Sequence, residues 1–188
     1  MLGLLLPLVV ACGPAPWDTG SNATSEPSAS ATPVPTPVPN DLSGGSTERT
    51  LTAGAVTATV DYWSTLRMDR WTSTAVKPLS LSMKTAVAPN DGQKVYLQRV
   101  LMIATPTNGD ESFAPLEAQI DQSSVSPGYL VLDPYSYSNA FNIGAVPAAA
   151  TSVSVQFVYD FLVQTTPTSS EYAKQTASDS LVIAIARD

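Results

Sequence analysis

The sequence predicts an all-β protein, in which residues 48–188 form an antiparallel β-sandwich of seven or eight strands behind a disordered N-terminal tether. Three observations carry this prediction. Apolar residues alternate with polar ones over Ser152–Gln164, which is the pattern of a strand with one buried face. Clusters of Pro, Gly, Asn and Asp separate the apolar runs. Ahead of residue 48 the composition is rich in Pro, Ser, Thr, Ala and Gly, which favours a chain without a packed core.

The chain begins with a ten-residue apolar run, Leu2–Ala11, which is followed directly by Cys12. The run is too short for a membrane-spanning helix, which needs about 20 apolar residues. It matches the apolar centre of a secretory signal peptide. Its end, Val9-Val10-Ala11-Cys12-Gly13, resembles the lipobox of bacterial lipoproteins. The alternative is an apolar strand that ends in a buried Cys, and the Pro-rich tract directly after Cys12 disfavours it.

The resemblance implies that residues 1–11 are removed as a signal peptide and that Cys12 becomes the lipidated N terminus. The protein would then be extracytoplasmic and anchored through Cys12 to the outer face of the bacterial cell membrane, since two acyl chains suffice for stable anchoring. The residues Met1, Leu2 and Gly3 depart from the pattern, because a signal peptide carries Lys or Arg ahead of its apolar run and these three residues include neither. The resemblance covers about a quarter of the chain and implies nothing about activity.

Residues 12–47 hold the lipidated Cys and the predicted tether. Seven of the sixteen Pro residues lie between Pro14 and Pro39, and Pro alternates strictly over Thr32–Pro39. Such a sequence favours polyproline II and stays hydrated, because Pro donates no backbone hydrogen bond. At about 3.1 Å per residue, a tether of this length reaches on the order of 100 Å. That reach would hold a domain away from the membrane.

Residues 48–188 hold short runs that are apolar or alternate with a period of two. In chain order these runs are 56–62, 79–84, 95–103, 129–132, 152–164 and 181–185. Within the run at 152–164, Asp160 is expected to face solvent or the strand edge. Arg99 interrupts the run at 95–103, where a bulge or a position at the sheet rim would accommodate it.

Seven or eight strands, little helix and about 140 residues favour a β-sandwich, and an immunoglobulin-like topology is the expected arrangement. The Cys-Trp-Cys core of antibody domains is absent because the one Cys of the chain is Cys12. The expected likeness is therefore one of architecture. A jelly roll or a small barrel is the alternative.

Composition excludes several classes of function. The 188 residues include no His and one Cys, which rules out Ser-His-Asp and Cys-His nucleophiles, His-metal sites and Cys-rich zinc sites. The net charge of −7 argues against nucleic-acid binding, which depends on Lys and Arg residues that neutralise phosphates. No P-loop occurs, and we expect no cofactor. Acidic turns at Asn108–Glu111 and near Asp91 could bind Ca²⁺, but they lack EF-hand spacing, so ordinary turns are favoured and no metal is expected.

The candidate ligand-binding residues are aromatic and amide side chains from two loop regions: Trp63, Trp71, Tyr135, Tyr137 and Asn139. Aromatic rings stack on the apolar faces of sugars, and amides bond to sugar hydroxyls. The alternative is that the tryptophans cap the core and the tyrosines brace a loop, because large aromatic side chains are usually packing residues.

Two functions fit these observations. The first is a non-catalytic module, displayed at the cell surface, that binds a cell-wall glycan or an envelope protein. The second is a carboxylate-dependent glycan hydrolase or an accessory subunit of one, since paired carboxylates need no His. Asp61 with Asp69, or Asp110 with Glu111, would have to converge for hydrolysis. The absence of G-x-S-x-G and S-x-x-K motifs favours the non-catalytic module.

Overall fold

The structure is a computed structural model, and it describes residues 38–109 and 111–187. The predicted signal peptide, Cys12 and the predicted tether up to residue 37 lie outside the described residues. The described part of the chain consists of antiparallel strands, turns and one short 3-10 helix, Met68–Arg70, so the prediction of an all-β protein is confirmed. Within the same ranges, no helix is long and apolar enough to cross a membrane.

The described residues form ten strands, seven of which have seven or more residues. In chain order they are β1 Ser46–Ala53, β2 Val56–Trp63, β3 Lys77–Val87, β4 Val95–Asn108, β5 Glu111–Ser112, β6 Gln119–Gln122, β7 Tyr129–Leu130, β8 Tyr137–Ile143, β9 Ser152–Gln164 and β10 Tyr172–Ala184. One sheet has the order β1-β2-β3-β8. The other has the order β10-β9-β4, and the short strands β5, β6 and β7 each pair with β4.

The two sheets face each other across an apolar core. Alternation places every second residue of the long strands in this core, as in β2, which buries Val56, Ala58, Val60 and Tyr62. The Tyr62 ring lies 5.3 Å from the ring of Phe157 on β9. The hydroxyls of Tyr62 and Tyr159 are 2.8 Å apart and satisfy each other inside the core. Burial of these apolar faces is the main source of stability.

Asp160 departs from the sequence prediction, because it is 3% exposed instead of facing solvent. Its carboxylate accepts hydrogen bonds from Thr176 Oγ1 at 2.8 Å and Arg99 Nε at 2.9 Å, and it lies 3.2 Å from Lys174 Nζ. Arg99 reaches Asp160 at a shift of the β4–β9 register between Leu97 and Arg99, which is the predicted bulge. Burial opposes ionisation of Asp160. The hydrogen bonds and cations outweigh burial and hold the pKa of the carboxyl below its usual range.

Packing begins upstream of residue 48. Leu42 is fully buried. The backbone N–H of Asp41 donates to the carbonyl oxygen of Val182 at 2.8 Å, and the Asp41 carboxylate accepts from the Val182 N–H at 2.7 Å. Strand β1 starts at Ser46. The last residues of the segment that the sequence assigns to the tether therefore belong to the folded domain.

Candidate ligand-binding site

Four polar and aromatic side chains meet where the edges of the two sheets come together, and we call Asp121, Tyr129, Tyr137 and Asn139 the tyrosine site. Asp121 lies on β6 and Tyr129 on β7, both of which pair with β4. Tyr137 and Asn139 lie on β8, the edge strand of the other sheet. Because these two residues are two positions apart, their side chains leave β8 on the same face. The site is therefore built on strands from both sheets.

The Asp121 carboxylate is the centre of the hydrogen bonds in the tyrosine site. The Tyr137 hydroxyl donates to Oδ2 of Asp121 at 2.5 Å, and the Tyr129 hydroxyl donates to Oδ1 at 3.4 Å. Asn139 Nδ2 donates to the Tyr137 hydroxyl at 3.1 Å. The two tyrosine rings are 5.4 Å apart between centroids and inclined at 36°. Tyr137 is thus held from both sides, while Tyr129 is bound more loosely.

Both phenols of the tyrosine site are neutral donors at neutral pH. Burial is the largest cause that raises the pKa of Tyr137, and the hydrogen bond to the Asp121 carboxylate raises it further. The pKa of Tyr129 is raised by desolvation and by the charge of Asp121. Tyr137 is almost fully buried, whereas 37% of Tyr129 is exposed. Tyr129 therefore presents its ring to solvent and Tyr137 supports it from below.

An open cavity of about 410 Å³ lies over the tyrosine site, and Ser136 and Ser138 complete its lining. Its wall offers an aromatic ring, hydroxyls, an amide and a carboxylate. This set can stack on the apolar face of a sugar ring and exchange hydrogen bonds with its hydroxyls. Asp121 is the one acid and no base occurs among the described residues that line the cavity.

Two features, a side-chain contact and a glycine, fix the strands that carry the tyrosine site. The side chain of Gln119 on β6 donates to the carbonyl oxygen of Asn142 at 2.7 Å and accepts from the Asn142 N–H at 3.1 Å, which ties β6 to β8. Gly128 precedes Tyr129, and a Cβ at this position would lie 2.5 Å from the carbonyl oxygen of Leu97. Only Gly permits so close an approach of β7 to β4.

The structure separates the five residues that the sequence proposes for ligand binding. Tyr137 and Asn139 come together in the tyrosine site. Tyr135 is 57% exposed in the preceding turn and does not line the cavity. Trp71 is fully buried in the core and donates its indole N–H to Ser64 Oγ at 3.1 Å, so its ring is not available to a ligand. Trp63 is half-buried at the end of β2, on the face opposite the core.

Sequence reasoning missed Asp121 and Tyr129. The segment Gln119–Gln122 has no strong alternation, and the sequence places Tyr129 in a short apolar run. Both residues come close to β8 because their strands, β6 and β7, pair with β4. In this register Val100 lies opposite Asp121, and Leu97 lies opposite Tyr129. The cluster Ser126-Pro127-Gly128 indicates a turn ahead of Tyr129, but nothing in the local sequence identifies the strand with which the residues after this turn pair.

Among the residues that the structure describes, no group of three or more His, Cys, Asp or Glu side chains is arranged to hold a metal ion. In the acidic turn Asn108–Glu111, Asp110 lies outside the described residues. The turn at Asp91 is closed by Gln93, whose side-chain oxygen accepts from the Asp91 N–H at 2.7 Å. Comparisons of this chain with protein-family models and with curated proteins find no match.

Proposed function

We propose that this protein is a bacterial lipoprotein, anchored through lipidated Cys12 to the outer face of the cell membrane, whose β domain binds a cell-wall glycan without hydrolysing it. The lipobox-like end of the apolar run supports the anchor. The Pro-rich segment before the folded domain supports a spacer that lifts the domain into the cell wall.

An immunoglobulin-like topology is part of this proposal. Strands β3 and β8 are neighbours in one sheet, and β4, β9 and β10 are neighbours in the other. The chain crosses between the sheets from β3 to β4 and again from β8 to β9. Strands B to C and E to F of an immunoglobulin-like sandwich cross in the same way. This order of strands favours that topology over a jelly roll or a small barrel.

The observation that carries the proposed ligand is the exposed ring of Tyr129 beside the Asp121 carboxylate and the Tyr137 hydroxyl. A sugar ring stacked on Tyr129 would place its hydroxyls within reach of carboxylate, amide and serine oxygens. The described lining residues include one carboxylate and no cation. An anionic glycan would meet repulsion there, so a neutral sugar fits the site better.

The alternatives make different demands on the same site. A carboxylate-dependent hydrolase needs two carboxyl groups about 5–9.5 Å apart across the bond to be broken. Asp121 is the one acid among the described residues that line the cavity, so the site supports binding better than hydrolysis. An envelope protein would be expected to bury more than one exposed aromatic ring, because specific protein interfaces cover about 800 Å² of each partner.

Calorimetric titration of the full chain with neutral wall-glycan fragments tests the proposed ligand. Tyr129→Ala is expected to weaken binding about tenfold, since a lost aromatic contact of about 1.4 kcal/mol corresponds to that factor. Tyr135→Ala is the matched control, because Tyr135 is the more exposed tyrosine and lies outside the cavity. This control is expected to bind as the parent chain does.

Equal affinities of the Tyr129→Ala and parent chains would overturn the assignment of the tyrosine site. Release of reducing sugars during the titration, abolished by Asp121→Asn, would replace binding by hydrolysis as the function. Absence of any heat with neutral fragments, together with heat from an envelope protein, would exclude a glycan as the ligand.

A further inference from the structure

The hydrogen-bonding capacity that the tyrosine site leaves open consists mainly of acceptors. The Tyr137 hydroxyl donates its proton to Asp121 and accepts from Asn139 Nδ2, which leaves one lone pair on its oxygen. Oδ1 of Asp121 has one contact, with the Tyr129 hydroxyl at 3.4 Å, and this distance is long for a hydrogen bond between oxygens. The Tyr129 oxygen also keeps its acceptor lone pairs. Three side chains therefore present oxygens that can accept from a ligand.

The other polar groups around these oxygens are largely occupied within the domain. The side-chain oxygen of Asn139 accepts from the Ala140 N–H at 2.8 Å. The Ser138 hydroxyl donates to the carbonyl oxygen of Leu81 at 3.1 Å. A ligand that binds here thus finds more free acceptors than free donors, which favours a ligand group rich in N–H donors.

The Asp121 carboxylate carries a negative charge that no nearby cation offsets. Within the described residues, Lys and Arg side chains form ion pairs with four other acids, Asp41, Asp69, Asp133 and Asp160, but none forms one with Asp121. Asp121 is half-buried, and a sugar stacked on Tyr129 would remove more water from it. Desolvation of an unpaired charge is unfavourable unless the ligand supplies an opposite charge.

A primary ammonium group meets both of these conditions. It carries a positive charge, three N–H donors and no acceptor. A sugar hydroxyl or an acetylated amine is uncharged and offers a single donor. A sugar that carries a free amine also keeps the apolar ring face that stacks on an aromatic side chain. Among sugars, the chemistry of the tyrosine site therefore selects those with a free amine.

We propose that the tyrosine site binds a glycan whose bound sugar carries a free primary amine. The ammonium group donates to Asp121 Oδ1 and to the hydroxyl oxygens of Tyr129 and Tyr137, while the sugar ring stacks on Tyr129. This ligand rests on the proposed glycan-binding function and narrows it from a neutral sugar to an amino sugar. The charge of Asp121 that repels an anionic glycan attracts a cationic one.

Calorimetric titration of the full chain with two matched oligosaccharides tests this ligand. The tetramer of glucosamine carries free amines, and its N-acetylated counterpart has the same sugar rings with the amines acetylated. The titrations are made at slightly acidic pH, where the amines are charged, and in physiological salt, which screens charges more than about 8 Å away. The glucosamine tetramer is expected to bind about tenfold more tightly, a ratio that corresponds to about 1.4 kcal/mol.

Two variants locate the origin of this preference. Asp121→Asn removes the charge but keeps an oxygen that can accept from Tyr137, and it is expected to abolish the preference. Asp61→Asn is the matched control, because it removes the same charge from an exposed position on β2, outside the tyrosine site, and it is expected to keep the preference. The preference is a ratio measured on one chain, so a partial loss of folded protein does not change it.

The possible outcomes separate this ligand from the proposed function. Equal affinities of the parent chain for the two tetramers, both weakened by Tyr129→Ala, would overturn the amino sugar and leave the glycan site in place. Equal loss of the preference in Asp121→Asn and Asp61→Asn would assign it to the net charge of the chain and would also overturn the amino sugar. Failure of both tetramers to bind would overturn the amino sugar together with the proposed glycan binding.

Discussion

Replacement of Asp160 by Asn removes the charge of the buried carboxylate on β9 while keeping the shape of the side chain. The carboxylate is 4% exposed and bonds to Thr176, Arg99 and Lys174. The Asn amide would keep one acceptor oxygen but would turn an N–H₂ group toward cations or hydroxyl protons. The variant therefore loses both of the ion pairs and part of the hydrogen bonding.

Two effects set the magnitude of this loss. Breaking a buried ion pair costs about 3–5 kcal/mol when the remaining charge is stranded without water. Here the Arg99 and Lys174 side chains are 38% and 54% exposed, so water can hydrate them once Asp160 is neutral. The cost then approaches that of charged hydrogen bonds, and we expect a loss of about 2 kcal/mol in the free energy of unfolding at neutral pH. For a chain of this size the melting temperature would fall by about 4–8 °C.

The loss should depend on pH in a defined direction. Because the folded-state pKa of Asp160 lies below its unfolded value, the charge stabilises the fold above the unfolded pKa of about 3.9. That stabilisation disappears as the pH falls through the folded-state pKa. The difference between Asp160→Asn and the parent chain is thus expected to be largest at neutral pH and to shrink in acid.

Urea unfolding of the full chain at neutral and acidic pH measures this difference. Asp133→Asn is the control, because Asp133 faces Lys84 at 3.9 Å with both side chains largely exposed. Such a surface pair contributes about 0–1 kcal/mol. If Asp160→Asn cost no more than Asp133→Asn, or if its cost were the same at both pH values, the stabilising role of the Asp160 ion pairs would be refuted.

Two further predictions concern the core and the anchor. Tyr62→Phe leaves the buried Tyr159 hydroxyl without its partner and is expected to cost about 1–2 kcal/mol in urea unfolding, whereas the double variant with Tyr159→Phe should cost less than the sum of the single ones. Additive costs would contradict a shared hydrogen bond. Cys12→Ser is expected to release the chain from the membrane fraction of the producing cells, because the lipid attachment would be lost; retention in that fraction would contradict the proposed anchor.

The strands were largely predictable from the sequence because their periodicity is local. In β9, six apolar residues alternate from Val153 to Val163, and the structure buries all six. The burial of one face makes such a pattern visible without any knowledge of the partner strand. The same reasoning identified Arg99 as a candidate for a bulge, which the register shift of β4 confirms.

Parity along a strand assigns a side chain to a face, but it does not determine what covers that face. Asp160 lies outward, as its position in β9 requires, yet Arg99 from β4 and Lys174 from β10 bury it. β10 follows β9 after a short turn, but β4, which supplies Arg99, ends at Asn108, far along the chain from the start of β9 at Ser152. The burial of Asp160 therefore depends on the sheet order.

In the tyrosine site, too, the local sequence determines some features and the sheet order determines others. The sequence by itself determined that Tyr137 and Asn139 share a face, since a strand repeats every two residues. Only the tertiary structure decided that Asp121 and Tyr129 join them and that Trp71 does not. The physical reason is that a strand's alternation is fixed by the covalent geometry of the chain, whereas its neighbours are fixed by hydrogen bonds and packing between distant segments.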